Sequence, residues 1–322
     1  MNWPPKDKPT SHMHAINSPT QQALRHFDAG IDHQQHGRLE EAKAAYQRAV
    51  KADKSLAAAH NNLAFICMRM GDYVAAAKQF QEVVKLEPHN VEALHNLGYI
   101  YEKQDMTGTA KTFYARALQI NPRHQEAHIN LGIIAELEGN FVEARQNFLT
   151  AANLNGGSAY AHFCLALLYE RMDLFDEAIA AYHAALTCDP SYFKALFNVA
   201  RLYHTQGDHG QAIRYFNMVL VLDPKNVQAH NNLGLIYEEM GKWQEAVMAF
   251  QTSAELDMFL PEAHYNLARA LYHQCRGDLR PDLVQPLIER LQMVLCLTSD
   301  DEAGQSIRQR IETFLDFLAS TM

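Results

Sequence analysis

The chain has 322 residues, 48% hydrophobic and 20% charged, enough for one large array or two ordinary domains. Its 28 Lys+Arg against 37 Asp+Glu give a formal net charge of −9, which repels phosphate backbones and argues against nucleic acid as the main partner. No apolar run approaches the ~18 residues of a membrane span, and the opening MNWPPKDKPTSHMH lacks the apolar core of a secretory signal, so a cytoplasmic location is expected.

Residues 1–22 hold four of the eleven prolines with Lys, Ser, Thr, His and Gln and no sustained apolar period, and they are expected to form a disordered or loosely attached arm. From Ala23 the chain falls into blocks of 34 residues: 23–56, 57–90, 91–124, 125–158, 159–192, 193–226 and 227–260. A fixed period in the range of roughly 20–50 residues marks a stacked repeat architecture. Each block has alanine at one offset: Ala42, Ala76, Ala110, Ala144, Ala178, Ala212 and Ala246. Four residues later each has an aromatic: Tyr46, Phe80, Tyr114, Phe148, Tyr182, Phe216 and Phe250. One helical turn separates the members of each pair, so a small hole and a large knob share a helix face.

The turn inside each block is marked by Gly37, Gly71, Gly139, Gly207 and Gly241, with Asp105 and Asp173 in the other two. All of these tolerate tight or left-handed backbone. Between blocks, Pro88, Pro122, Pro190 and Pro224 end the second helix, and Gly156-Gly157 takes that role in the fourth. Block 261–301 begins in pattern and then departs, which predicts a degenerate eighth repeat with an insertion at about 276–285. In 302–322, Ile307, Ile311, Phe314, Leu315 and Leu318 share one helical face and predict a capping helix. Five scattered cysteines, Cys67, Cys164, Cys188, Cys275 and Cys296, lack CxxC spacing and are read as small core residues, not a disulfide framework or zinc site.

The pattern Leu-Gly…Tyr…Ala…Tyr/Phe…Ala…Pro, carried by Leu97, Gly98, Tyr101, Ala110, Tyr114, Ala117 and Pro122, resembles the tetratricopeptide repeat, a helix–turn–helix unit. The resemblance implies an all-α fold, a right-handed superhelical solenoid of about eight units with a C-terminal cap. It also implies binding, with no cofactor, as the activity. A GxxxxGK[ST] cradle, an HExxH and a GxSxG are absent from the sequence, and no enzymatic function is expected.

Histidines recur near the start of the first helices: His60, His128, His162, His230 and His264, with His26 in the matching place. Stacked helices lie ~8–10 Å apart, while zinc needs ligands at ~2.0–2.1 Å, so this ladder cannot converge on one metal. Its position resembles the family's large inter-helix packing residue. Two residues on stand Asn62, Asn96, Asn130, Asn198, Asn232 and Asn266, with Asp28 and Cys164 interrupting the row. In the family this position points into the concave groove, and the row is similar to the asparagine ladder in the superhelix of O-GlcNAc transferase. An amide carries donors and an acceptor, so such a row suits an extended peptide of nearly any sequence. Glu102, Glu136, Glu170 and Glu238 share a second groove offset, with Arg69, Lys103 and Arg171 beside them as possible internal partners.

The fifth-position residues, Phe27, Asn61, His95, Ile129, Phe163, Phe197, Asn231 and Tyr265, include no lysine, which disfavours a clamp for a C-terminal carboxylate. The leading expectation is a non-catalytic scaffold or adaptor that holds an extended or helical segment of a partner protein. Its rivals are a scaffold that self-assembles through an open N-terminal end, and a substrate-selecting arm for a separately encoded enzyme such as a glycosyltransferase.

Overall fold

The computed structural model describes residues 19–154, 157–274, 281–296, 298–299 and 301–321. Among these residues it is all helix and turn, without strands. Repeats 1 to 4 pair α1 (Pro19–Gln35) with α2 (Leu39–Ala52), α3 (Ala57–Arg69) with α4 (Tyr73–Leu86), α5 (Val91–Lys103) with α6 (Thr107–Ile120), and α7 (Gln125–Leu137) with α8 (Phe141–Asn153). Repeats 5 to 8 pair α9 (Ala159–Arg171) with α10 (Phe175–Cys188), α11 (Phe193–Thr205) with α12 (His209–Leu222), α13 (Val227–Glu239) with α14 (Trp243–Leu256), and α15 (Pro261–Gln274) with α16 (Pro281–Leu295). A last helix, α17 (Glu302–Thr321), follows. The chain divides into two compact bodies, an N-terminal one to Gly157 and a C-terminal one from Ser158.

All seven alanines of the hole and all seven aromatic knobs are fully buried. Burying each knob contributes about 1.5–3 kcal/mol, so this one offset supplies much of each repeat's cohesion. Many helices start on a side chain that meets an orphan N–H: Asp72 accepts from Ala75 N (3.1 Å), Asn90 from Ala93 N (2.9 Å) and Asn226 from Ala229 N (2.9 Å). The intra-repeat turn is left-handed throughout repeats 1 to 7, with φ of 59° at Asp105 and 56° at Asp173 against 70–78° at the five glycines. The residues before Pro88, Pro122, Pro190 and Pro224 leave helical geometry, as the proline ring requires.

Two boundaries differ from the expectation. The first helix begins at Pro19, four residues before Ala23, because proline's fixed φ suits a first helical turn and the polar Thr20, Gln21 and Gln22 can all face solvent. Part of the insertion expected at 276–285, and residues 1–18 of the expected arm, lie outside the described residues; α16 already covers 281–285. In the C-terminal body, α17 buries Ile311 and Leu318 against Tyr265, Ala268, Leu291 and Val294, with Ile307, Phe314 and Leu315 alongside. No helix among the described residues is long and apolar enough to cross a membrane.

Candidate functional site

The asparagines of the first helices do not form one uniform row. Their state follows the knob of the preceding repeat. Where that knob is tyrosine, its hydroxyl reaches the next repeat: Asn62 Nδ2 donates to Tyr46 Oη at 3.2 Å, and the Asn130 and Asn198 amides bond the Tyr114 and Tyr182 hydroxyls in the same way. Each hydroxyl then donates to the first helix of its own repeat. Tyr46 donates to Gln34 Oε1 (2.8 Å), Tyr114 to Glu102 Oε2 (3.0 Å) and Tyr182 to Glu170. Burial and a carboxylate acceptor push the Tyr114 and Tyr182 phenols far above their ordinary range, so both stay protonated and donate. In Asn130 the second amide hydrogen is also engaged, on His95 Nε2 at 3.1 Å. All three asparagines are half-buried, each with its NH2 engaged by a buried phenol.

Where the preceding knob is phenylalanine, the asparagine behaves differently. Asn232 Nδ2 donates to Gln228 O one turn back, at 2.7 Å. Asn96 is buried. Asn266 is completely enclosed, donates to Asn231 Oδ1 at 3.1 Å and leaves its own Oδ1 unpaired. The expectation that Asn266 and Asn96 line a groove is corrected here: their repeats close over them.

The glutamates are also more engaged than expected. Glu170 and Glu238 pair with Arg201 and Arg269, each from the first helix of the following repeat; the Arg269–Glu238 contact is 2.5 Å. Both arginines stand 31 residues on and are brought to their glutamates by stacking, and Lys103, one of the possible internal partners, is not the base on either. Lys103 instead lies over the Tyr99 ring, 5.2 Å from its centroid. Glu136 holds the same offset in α7, opposite a phenylalanine knob, and is half-buried.

The histidine ladder does more than pack. The Nε2 atoms of His60, His128, His230 and His264 lie 3.0–3.2 Å from the backbone carbonyls of Lys54, Pro122, Pro224 and Met258, six residues earlier in every case. The ring therefore ties its helix start to the preceding inter-repeat turn.

One cluster escaped the sequence reading. The His95 and His124 rings lie 4.8 Å apart, tilted by 37°, and Glu92 joins them with ligand-type atoms of all three within 4.8 Å of one another. Desolvation and the neighbouring His124 hold His95 down to about 4. The residue types suit a transition metal, but the lone pairs are in use. His95 Nε2 accepts from Asn130, and His124 Nδ1 accepts the Ala127 N–H at 3.1 Å as the cap of α7. An ion there would displace both bonds. The available signal was the cap position, where His124 stands in the place of Asn90 and Asn226.

Profiles of the tetratricopeptide repeat match residues 107–159 and 165–227, 55–123 and 215–248, and a further TPR repeat profile matches 33–71. No curated protein matches the chain. Among solved structures, the C-terminal part of a TPR repeat-containing protein from Cytophaga hutchinsonii is 16% identical, with 75% of this chain and 99% of that one covered and a TM-score of 0.62. A tetratricopeptide repeat protein from Parabacteroides merdae is 20% identical, covering 78% and 99%, with a TM-score of 0.55. Pseudomonas aeruginosa pilF is 20% identical, covering 70% and 99%, also at 0.55. At these identities the likeness is one of fold. From the repeat profiles spanning most of its length and the helix pairs built on one alanine–aromatic offset, the chain belongs to the tetratricopeptide repeat family.

Proposed function

We propose that the chain is a non-catalytic scaffold or adaptor that holds an extended segment of another protein and grips its backbone. The tetratricopeptide repeat is a protein-interaction fold, and proteins built from it are in general scaffolds without catalysis. The observation that supports the finer reading is the tyrosine-set asparagine. Asn62 and Asn130 in the N-terminal body, and Asn198 in the C-terminal body, are each turned by a buried phenol so that the amide carbonyl remains for a partner. A fixed acceptor selects hydrogen-bond donors, and every residue of an extended peptide except proline offers a backbone N–H. Self-assembly through the first helix has less support, since Leu24 is the one large apolar side chain exposed on α1.

The test starts from a partner segment recovered by affinity capture and defined by peptide mapping. Alanine at Asn62 and Asn130 together, both in the N-terminal body, should weaken its binding by about one to two powers of ten, at about 0.5–1.5 kcal/mol per lost bond. Alanine at Asn96 and Asn266, whose amides are enclosed, should leave affinity unchanged in protein that still folds. Equal effects from the two sets would remove the proposal.

A further inference from the structure

We propose that the junction of α15 and α17 is a second binding site, for a large apolar side chain flanked by an acidic side chain. It is independent of the asparagines and lies wholly within the C-terminal body. A cavity of about 410 Å³ opens there between Tyr265, Phe314 and Phe317, with Gln309, Arg310 and Thr313 on its rim. That is within the size range of small-ligand and side-chain pockets, about 300–1,000 Å³.

The walls are aromatic and ordered by one another. Phe314 and Phe317 stack at 6.1 Å with 12° between planes, and Tyr272 meets Phe314 and Phe317 edge-on at 5.9 and 5.4 Å. Tyr265 meets Phe314 edge-on at 6.1 Å. Phe317 nevertheless keeps 39% of its surface exposed. This pocket is special to the last repeat, because it needs α17 laid against the fifth-position tyrosine.

The charge selects the occupant. Two guanidinium groups approach the Tyr265 ring, Arg310 at 4.6 Å and Arg269 at 5.4 Å from its centroid. Arg269 is neutralised by Glu238 at 2.5 Å. Arg310 has no ion pair among the described residues, and it is exposed. Glu262 and Arg310 both line a neighbouring cavity of about 400 Å³, without an ion pair between them. The rim thus carries one uncompensated positive charge next to an aromatic slot. An apolar side chain entering the slot gains contact with Phe314 and Phe317, while a carboxylate beside it meets the Arg310 fork.

Blocked peptides on the full chain test this: acetyl-Gly-Ser-Phe-Glu-Ser-Gly-amide against the same peptide with Phe-Lys or Ala-Glu at the centre, read by NMR titration. The Phe-Glu peptide should shift the Thr313 methyl and Phe317 signals with an affinity at least about tenfold above either control, about 1.4 kcal/mol. Arg310→Glu should abolish that preference and favour Phe-Lys. Gln309→Glu, which adds a negative charge to the rim and leaves the Arg310–Tyr265 stack intact, should weaken Phe-Glu binding in the same direction and covers a fold defect in the first variant. Equal binding of Phe-Glu and Phe-Lys, no binding of Phe-Glu, or binding confined to a peptide with a free C-terminal carboxylate would each overturn the proposal. Because none of the tyrosine-set asparagines is altered, failure here leaves the backbone-gripping reading standing, and the reverse also holds.

Discussion

Repeats 1, 3 and 5 carry tyrosine as the buried knob, and repeats 2, 4, 6 and 7 carry phenylalanine; all seven rings are fully enclosed. The packing is the same in both classes, and a single oxygen separates them. In the tyrosine repeats that oxygen joins an acceptor on the repeat's first helix to the asparagine of the next repeat. In the phenylalanine repeats the asparagine turns to local partners or is closed over. The comparison teaches that a solenoid can keep one core and still vary what successive repeats present.

The largest effect should come from the feature both classes share. Ala178→Leu in a tyrosine repeat and Ala212→Leu in a phenylalanine repeat each force bulk into a fully filled hole, at a cost of about 1–3 kcal/mol. Nearest-neighbour stacking should confine the loss of hydrogen-exchange protection to the altered repeat and those beside it. Uniform loss across the chain would contradict a repeat-by-repeat architecture.

A pair of substitutions then sharpens the difference between the classes. Repeat 7 matches repeat 5 in having a glutamate acceptor, an arginine on it and an asparagine beyond, with Phe250 in the place of Tyr182. Phe250→Tyr should therefore let its hydroxyl donate to Glu238 and accept the second amide hydrogen of Asn266 Nδ2, as the phenols of the tyrosine repeats do, at little cost. Phe80→Tyr meets Met68 at the acceptor offset and buries an unmatched hydroxyl, at about 1–3 kcal/mol. Denaturant midpoints of the two variants should differ accordingly; equal losses would show that the acceptor does not govern the choice of knob.

His95 adds a pH dependence to repeat 3. Its folded value is held near 4 by burial and by His124, with Glu92, Glu126 and Tyr114 also facing it. The unfolded chain takes up this proton below about 6.5 while the folded one does not. Stability should thus be complete above that pH and fall as pH drops towards 4, with a slope of at most about 1.4 kcal/mol per unit from this group. His95→Phe, the residue type of the fifth position in repeats 1, 5 and 6, should remove that share of the slope in denaturation series between pH 7 and 4.5. An unchanged slope would place the titration elsewhere.

The smallest effect is at the turns. Asp105 and Asp173 hold left-handed backbone that glycine occupies in the other five repeats. Asp105→Gly should raise the unfolding free energy by about 1 kcal/mol or less, read from denaturation curves, since relief of the Cβ clash is offset by added freedom in the unfolded chain. A clear loss of stability would mean that the carboxylate has a bonding role there.

What the sequence made legible was whatever recurs at one offset. The alanine–aromatic pairs, the left-handed turns and the apolar face of α17 are local patterns that 3.6-residue periodicity exposes. The asparagine row was legible as a row, and the Tyr/Phe alternation was in plain view. Their connection was not, because Tyr46 and Asn62 are separated by 16 residues and meet only through stacking. The same holds for Glu170–Arg201 and Glu238–Arg269, each 31 residues apart, and for His95 with His124. Asn266 misled for a related reason, as its burial depends on what packs around it.

The central claim, that tyrosine-set asparagines hold a partner by its backbone, is tested most directly by a double-mutant cycle between protein and peptide. In the partner segment, each backbone N–H is replaced in turn by N-methyl, and every peptide is titrated calorimetrically against the parent and Asn130→Ala. The account predicts one position at which the two changes are not additive, with a coupling of about 0.5–1.5 kcal/mol, while side-chain swaps at that position show none. Additive effects at every position would contradict it.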